Sequence, residues 1–174
     1  MPSHVATLYP DRLHAQQAAA LKPWVPVGRR LVLVDIENLV GGSCSTTTDV
    51  ANAFGRLRVA IAPSHHDVWA VACGPSLLAA ATSAFPTRVL LGRGKDGADH
   101  QLLACLAPHD VVGCYASIAL VSGDAAAFAE PVQELAVRGV PTDVYIGAGH
   151  IGAALYLAAR SVTSTRAEAF GAAA

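Results

Sequence analysis

Apolar residues in this chain gather in short unbroken runs, set apart by glycine-rich or polar breaks, and the runs alternate with stretches of helical spacing. Leu31 to Val34 is a run of branched side chains that stops at Asp35, the pattern of a strand buried on both faces of a parallel sheet. The segment GGSCSTTT reads as a loop, and Thr48 is placed to cap a helix over Val50 to Ala60, in which Ala53, Leu57 and Ile61 share one face. DVWAVAC is a second strand, stopped by Gly74 and Pro75 and followed by a short helix over Ser76 to Ser83. Thr87 to Leu91 gives a third strand, GRGKDG a loop, and Ala98 to Leu106 a helix with Asp99 in its first turn, where the helix dipole favours an acid. Ile118 to Val121 is the fourth strand and runs into Ser-Gly-Asp. Phe128 to Val137 follows as a helix closed by Gly139, Asp143 to Ile146 as the fifth strand, and His150 to Ala159 as a last amphipathic helix.

Five strands alternating with helices predict an α/β fold: a single domain with a mostly parallel five-stranded sheet and helices on both faces. Its bounds are residues 29–160. Residues 1–28 form an N-terminal arm with an Ala-rich, helix-compatible piece from His14 to Leu21, and residues 161–174 a tail with too little apolar bulk to be held firmly. No internal repeat is visible.

In such sheets ligands bind outside the carboxyl ends of the strands, where the strand order reverses. Asp35 follows the first strand and Asp124 the fourth. If those strands are neighbours, their carboxylates stand about 4.8 Å apart, close enough to share one cation or its waters. Carboxylates so placed repel one another unless a metal or a proton offsets them, and Mg²⁺ or Mn²⁺, which take oxygen ligands and keep several waters, are the natural occupants. Asp99 would bring a third acid. Glu37, two positions after Asp35, would point the same way if the strand continued, and Asp96 would share a side of the helix start with Asp99.

Composition narrows the partners. A formal net charge of -1 argues against a protein that coats nucleic acid nonspecifically, so any such contact needs a local basic patch. Arg93 and Lys95, in the loop feeding the acids, are suited to steering a phosphate backbone or to standing as solvated loop cations. The 53% hydrophobic content comes mostly from Ala, Val and Leu, and acids interrupt every stretch long enough to span a bilayer. With Pro2, His4, Pro10, Asp11 and Arg12 where a secretory signal needs apolar residues, the expectation is a cytoplasmic protein with no membrane role. Cys44, Cys73, Cys105 and Cys114 form no C-x-x-C pair and read as plain buried or half-buried thiols. His65, His66, His100 and His150 are unneeded by an oxygen-rich site, and Trp24, Trp69 and Tyr145 lack the interleaving of a base-stacking surface. The Ala-rich helices would serve a homo-oligomer contact or ordinary internal packing equally well.

Three stretches resemble one family. LVLVDIENLVGG is similar to the opening strand and Asp-x-x-Asn turn of NYN domains, PIN-like nucleases, with Asp35 and Asn38 in the matching places. GKDGADHQLLACL resembles their Lys-Gly-x-Asp helix motif at Asp99, and IALVSGDAAAFAEPVQELAVRGVPTDVYI resembles their strand, Ser-Gly-Asp turn and following helix at Asp124. The likeness runs in register from about Leu31 to Ala159. It implies a PIN-like Rossmannoid sheet and a metal-dependent endoribonuclease acting on RNA. Asp35, Asp99 and Asp124 would be catalytic metal ligands for Mg²⁺ or Mn²⁺, Glu37 a further ligand or supporting acid, and Asn38 and Ser122 substrate contacts beside Arg93 and Lys95. Many members carry Ser-Gly-Asp-x-Asp-Phe, whereas this turn reads SGDAAAF, with Ala126 in place of the further acid. A catalytically silent module binding RNA or protein through the same crevice is therefore the alternative. A haloacid-dehalogenase-like phosphohydrolase fits less well, because DIEN lacks that family's second Asp, and no G-x-G-x-x-G follows the first strand to bind a dinucleotide.

Overall fold

The structure, a computed structural model, describes residues 28–166. The helix expected over His14 to Leu21, Trp24, and the tail beyond residue 166 lie outside them. Strand β1 (Arg30–Asp35) divides its side chains between two cores: Val32 and Val34 face one, Leu31 and Leu33 the other. β4 (Ser117–Val121) does the same with Ala119 and Val121 against Ile118 and Leu120. That two-sided burial is why both read as unbroken apolar runs.

The helices sort onto the two faces accordingly. α1 (Ile36–Val40), α2 (Thr47–Ile61) and α3 (Leu78–Ala84) cover the first face through Ile36, Leu39, Val50, Leu57 and Ala81. α4 (Gly97–Ala104), α5 (Pro108–Val111), α6 (Ala125–Val137) and α7 (Ala153–Ala158) cover the second through Leu102, Val111, Phe128, Val132, Leu135 and Leu155. With β2 (Val68–Cys73), β3 (Val89–Leu91), β5 (Thr142–Ile146) and β6 (Ser161–Ser164), the sheet is wholly parallel in the order β3-β2-β1-β4-β5-β6. The chain winds outward from β1 to β3, returns across the sheet to β4, and winds outward again. β1 and β4 are therefore neighbours at the reversal of strand order, which opens a crevice at their carboxyl ends.

The sheet has six strands instead of the expected five. Ser161–Ser164, assigned to the tail, pairs with β5 from Asp143↔Ser161 to Ile146↔Ser164. Only Val162 of this strand is partly buried, so its hold is polar: Arg160 Nε and Ser161 Oγ donate to Asp143 Oδ1 at 2.9 and 2.6 Å, and the Arg160 N–H donates to the Thr142 carbonyl at 2.8 Å. The cap of α2 is Thr46, not Thr48: its hydroxyl accepts from Asp49 N, while the Asp49 carboxylate accepts from Thr46 N, a reciprocal box. Cys73 is buried and Cys105 half-buried, but Cys44 and Cys114 are exposed, against the expectation, because both sit in loops outside the two cores. Trp69 and Tyr145 pack in the core. Among the described residues no helix is long and apolar enough to cross a membrane.

Candidate functional site

Five strand ends feed the crevice. β1 ends at Asp35 because that carboxylate turns to cap α1: its Oδ1 accepts from Asn38 N at 3.2 Å and its Oδ2 from Asn38 Nδ2 at 2.6 Å. This short helix overturns the reason given for Glu37, since the strand does not continue. Glu37 reaches the crevice from α1 instead, and its Oε1 accepts from Gly74 N at 2.6 Å at the end of β2. A Cβ at Gly74 would stand 2.9 Å from that oxygen, so glycine keeps the approach open.

Asp99 arrives from the other face. The loop after β3 folds back so tightly that a Cβ on Gly92 would overlap the Gly97 and Ala98 backbone, and Gly92 N donates to Cys73 O at 2.9 Å. Asp96, at φ 55°, turns the chain into α4 and sets Asp99 in the first turn. Asp124 caps α6, its Oδ1 accepting from Ala126 N at 2.8 Å and Ala127 N at 3.2 Å. Asn38 fastens the turns together, because its Oδ1 accepts from Gly123 N and its carbonyl from Gly149 N, both at 3.4 Å.

Asp35, Glu37, Asp96, Asp99 and Asp124 thus line one open cleft of about 340 Å³, with Asn38 and the glycines 74, 94 and 97, and among the described residues no Lys or Arg stands in its wall. Residues from three distant stretches, Asp35, Asp99 and Asp124, therefore line the same cleft. Burial raises Asp35 to about 7, with Asp99 and Glu37 adding repulsion against the lowering effect of its bonds to Asn38. Asp99 is raised to about 6, first by burial, then by Asp124, Asp96 and Glu37, with contact from Asp35 working the other way. Two oxygens of the cleft have no donor among the described residues: Asp99 Oδ1, on a residue only 9% exposed, and Glu37 Oε2. An ionised carboxylate oxygen sealed from water without a partner costs several kcal/mol unless a cation or proton meets it.

Among the described residues, no group of three or more His, Cys, Asp or Glu side chains is arranged as a ready metal centre. Asp124 is committed to the α6 cap and Asp35 to Asn38. The donor set still fits a hard cation of Mg²⁺ or Mn²⁺ type, which takes one or two protein carboxylates and keeps waters on its remaining positions.

Three expected substrate contacts stand elsewhere. Ser122 is 1% exposed, and its Oγ accepts from Asp124 N at 3.2 Å, so it shapes the turn from within. Arg93 and Lys95 are exposed on the loop before α4 but neither lines the cleft, because the tight Gly92 to Gly97 turn presents Gly94 to the crevice and carries its neighbours outward. Two further clefts continue the rim. One, of about 420 Å³, shares Glu37 and Asn38 with the carboxylate cleft and adds Gly41, Ala148, Gly149 and His150. The next, of about 350 Å³, shares Ala148 and includes Asn52 and Arg56. The glycine-rich stretch after β5 was the signal for this extension: Gly147 is packed on the Leu39 backbone with no room for a Cβ.

No protein-family model matches the chain, and no curated protein matches it. A crystal structure of a protein of unknown function from Vibrio parahaemolyticus is similar over 78% of this chain and 91% of its own, at 15% identity and a TM-score of 0.45, a likeness too distant to bear on function.

Proposed function

We propose that the protein is a metal-dependent ribonuclease that hydrolyses RNA phosphodiester bonds at the carboxylate cleft. The observation that carries this reading is the buried, partnerless oxygen of Asp99 inside a ring of acids at the switch point of the sheet. A cleft walled by five carboxylates repels phosphate, so a bound polynucleotide needs a cation between the two. Mg²⁺ or Mn²⁺, when bound, would supply charge neutralisation and a water of lowered pKa. Asp35 and Asp99 would hold it directly, and Glu37 and Asp124 through its waters.

The chain's own residues do the positioning. Asn38 keeps Asp35 turned to the cleft, Gly74 fixes Glu37, and the Gly92 and Gly97 contact sets the height of Asp99. Without a cation Asp35 and Asp99 take up protons near neutrality, and a bound cation would displace those protons, because a ligating carboxylate is ionised. Purified protein incubated with single-stranded and structured RNA, with and without Mn²⁺, tests the reading. Cleavage should require the metal and vanish in Asp35→Asn and Asp99→Asn; metal-dependent cleavage that survives both substitutions refutes it.

The alternative, a silent RNA- or protein-binding module, draws on Ala126, exposed in the first turn of α6 where many NYN domains carry a further acid. Calorimetry separates the two: no heat with Mn²⁺ at millimolar levels, with RNA affinity retained, selects the silent module.

A further inference from the structure

A recess that shares no residue with the carboxylate cleft opens at the other end of the strands, between α2, the start of β2 and the segment joining α3 to β3. It holds about 420 Å³, and Phe54, Trp69 and Phe85 stand in its wall. Alternation along β2 puts Trp69 on the same face as Val71 and Cys73, the face that α2 and α3 cover. Phe54 meets the Trp69 ring edge-on, with centroids 6.1 Å apart, and lies against Phe85 at 4.0 Å. Phe85 is buried, but Phe54 and Trp69 are only half-buried, so aromatic surface is left facing the opening. Small-molecule sites are typically hollows of this size, mostly apolar, with a few polar groups that fix orientation.

The polar groups here leave one charge unanswered. Arg58 follows Phe54 by one turn of α2, with its guanidinium 5.8 Å from the Phe54 centroid. Its side chain is exposed and has no ion pair among the described residues. A cation in the last turn suits the helix dipole, a role that uses the charge and leaves the donors free. The acid in the same wall, Asp67, is already spent: its side chain is 1% exposed, its Oδ2 accepts from Arg30 Nη2 at 2.6 Å and Ser64 N at 3.0 Å, and its Oδ1 accepts from Arg30 Nε at 3.3 Å. Thr87 adds a half-buried residue whose hydroxyl has no partner among the described residues.

We propose that this recess binds a small aromatic carboxylate, its ring against Phe54 and Trp69 and its carboxylate on Arg58. Aromatic rings favour offset or edge-on contact with one another, and the planar guanidinium donates two parallel bonds to a carboxylate. Stacking on Phe54 already restrains the Arg58 side chain, so less freedom is lost when the ligand arrives. The site stands independently of the ribonuclease reading, since none of its residues touches the acids.

The test uses the full chain carrying Trp24→Phe, which leaves Trp69 as the only tryptophan, so that its fluorescence reports on the recess. Phenylacetate is the probe; 2-phenylethanol lacks its charge and cyclohexylacetate its aromatic ring. Phenylacetate should change the Trp69 emission saturably at millimolar concentrations or below. The neutral analogue should bind at least tenfold more weakly, the loss of a charge-assisted bond, and the saturated one at least threefold more weakly. Adding Arg58→Gln should bring phenylacetate down to the affinity of 2-phenylethanol and leave 2-phenylethanol itself unchanged, a pattern that general damage to the fold does not produce. No saturable response to phenylacetate, equal binding of the neutral analogue, or phenylacetate affinity unmoved by Arg58→Gln overturns the proposal. The analogue comparison is made with Arg58 in place, so it decides the matter even if melting curves show the Arg58→Gln variant to be unstable.

Discussion

Replacing Asp99 by Asn should make the metal-free protein more stable at pH 8, the reverse of the usual effect of altering a buried polar residue. In the folded chain Asp99 is raised from 3.8 to about 6. Two units at about 1.36 kcal/mol each give an upper bound of roughly 3 kcal/mol for the penalty of ionising it in place. The direction follows from proton counting: between pH 4 and 6 the folded state holds more protons on this group than the unfolded state. The stability it contributes is therefore whole below pH 4 and is lost as pH rises through 6. Asparagine keeps the shape, removes the charge, and can donate from its amide towards the Asp35 carboxylate. With chelator present, the variant should melt above wild type by several degrees at pH 8, given about 2–4 °C per kcal/mol for a domain of this size, and the gap should close by pH 4. Millimolar Mn²⁺ should raise the melting temperature of wild type and leave the variant nearly unmoved. Differential scanning fluorimetry reads all four conditions. A variant less stable than wild type in chelator at pH 8, or protected equally by Mn²⁺, would mean that the Asp99 oxygen is not the uncompensated charge described here.

Asp35 titrates the same way from 3.8 to about 7, so metal-free wild type should lose stability between pH 4 and 7, and apparent Mn²⁺ affinity should climb over pH 5.5 to 7.5 as the competing protons leave, measured by calorimetry. Asn38→Ala removes the bonds that aim Asp35 and tie in Gly123, so Mn²⁺-dependent RNA cleavage should fall at least tenfold, with most of the loss in kcat. Gly123→Ala forces a methyl into the His150 carbonyl and should cost about 1–3 kcal/mol by overpacking, seen as a lower urea midpoint. Arg30→Ala strips the partner at 2.6 Å from Asp67, whose side chain is 1% exposed, and should cost about 3 kcal/mol in the same assay.

Where the sequence was readable, the physics was local or two-sided. Leu31 to Val34 could be assigned because each alternate residue feeds a different core, leaving no polar face to blur the run. The three acids could be assigned because each follows a strand or opens a helix, and strand ends are where this architecture places ligands. The misreadings came where a side chain's partner lies far away or the backbone turns sooner than the pattern suggests. Glu37 was placed on an extended strand because nothing in DIEN announces that Asp35 will cap a helix one residue later. Ser122 appeared available because Ser-Gly-Asp does not say which way the hydroxyl points. Ser161–Ser164 has one partly buried apolar residue, and its strand character comes from Arg160 and Ser161 meeting Asp143 across the sheet, a contact invisible without the fold. The cap at Thr46 was legible in principle, from the three-residue spacing of Thr46 and Asp49.

The wedge between Gly123 and His150 carries one more implication. The β4 turn has no slack against the β5 loop, and Gly152 N donates back to Gly123 O at 3.0 Å, closing the two into one unit. Whatever draws Asp124 inward must carry the loop of Ala148, Gly149 and His150 with it. Under the proposed function, a cation at the acidic end and anything bound against that loop would share this contact, and any coupling between them would be reciprocal.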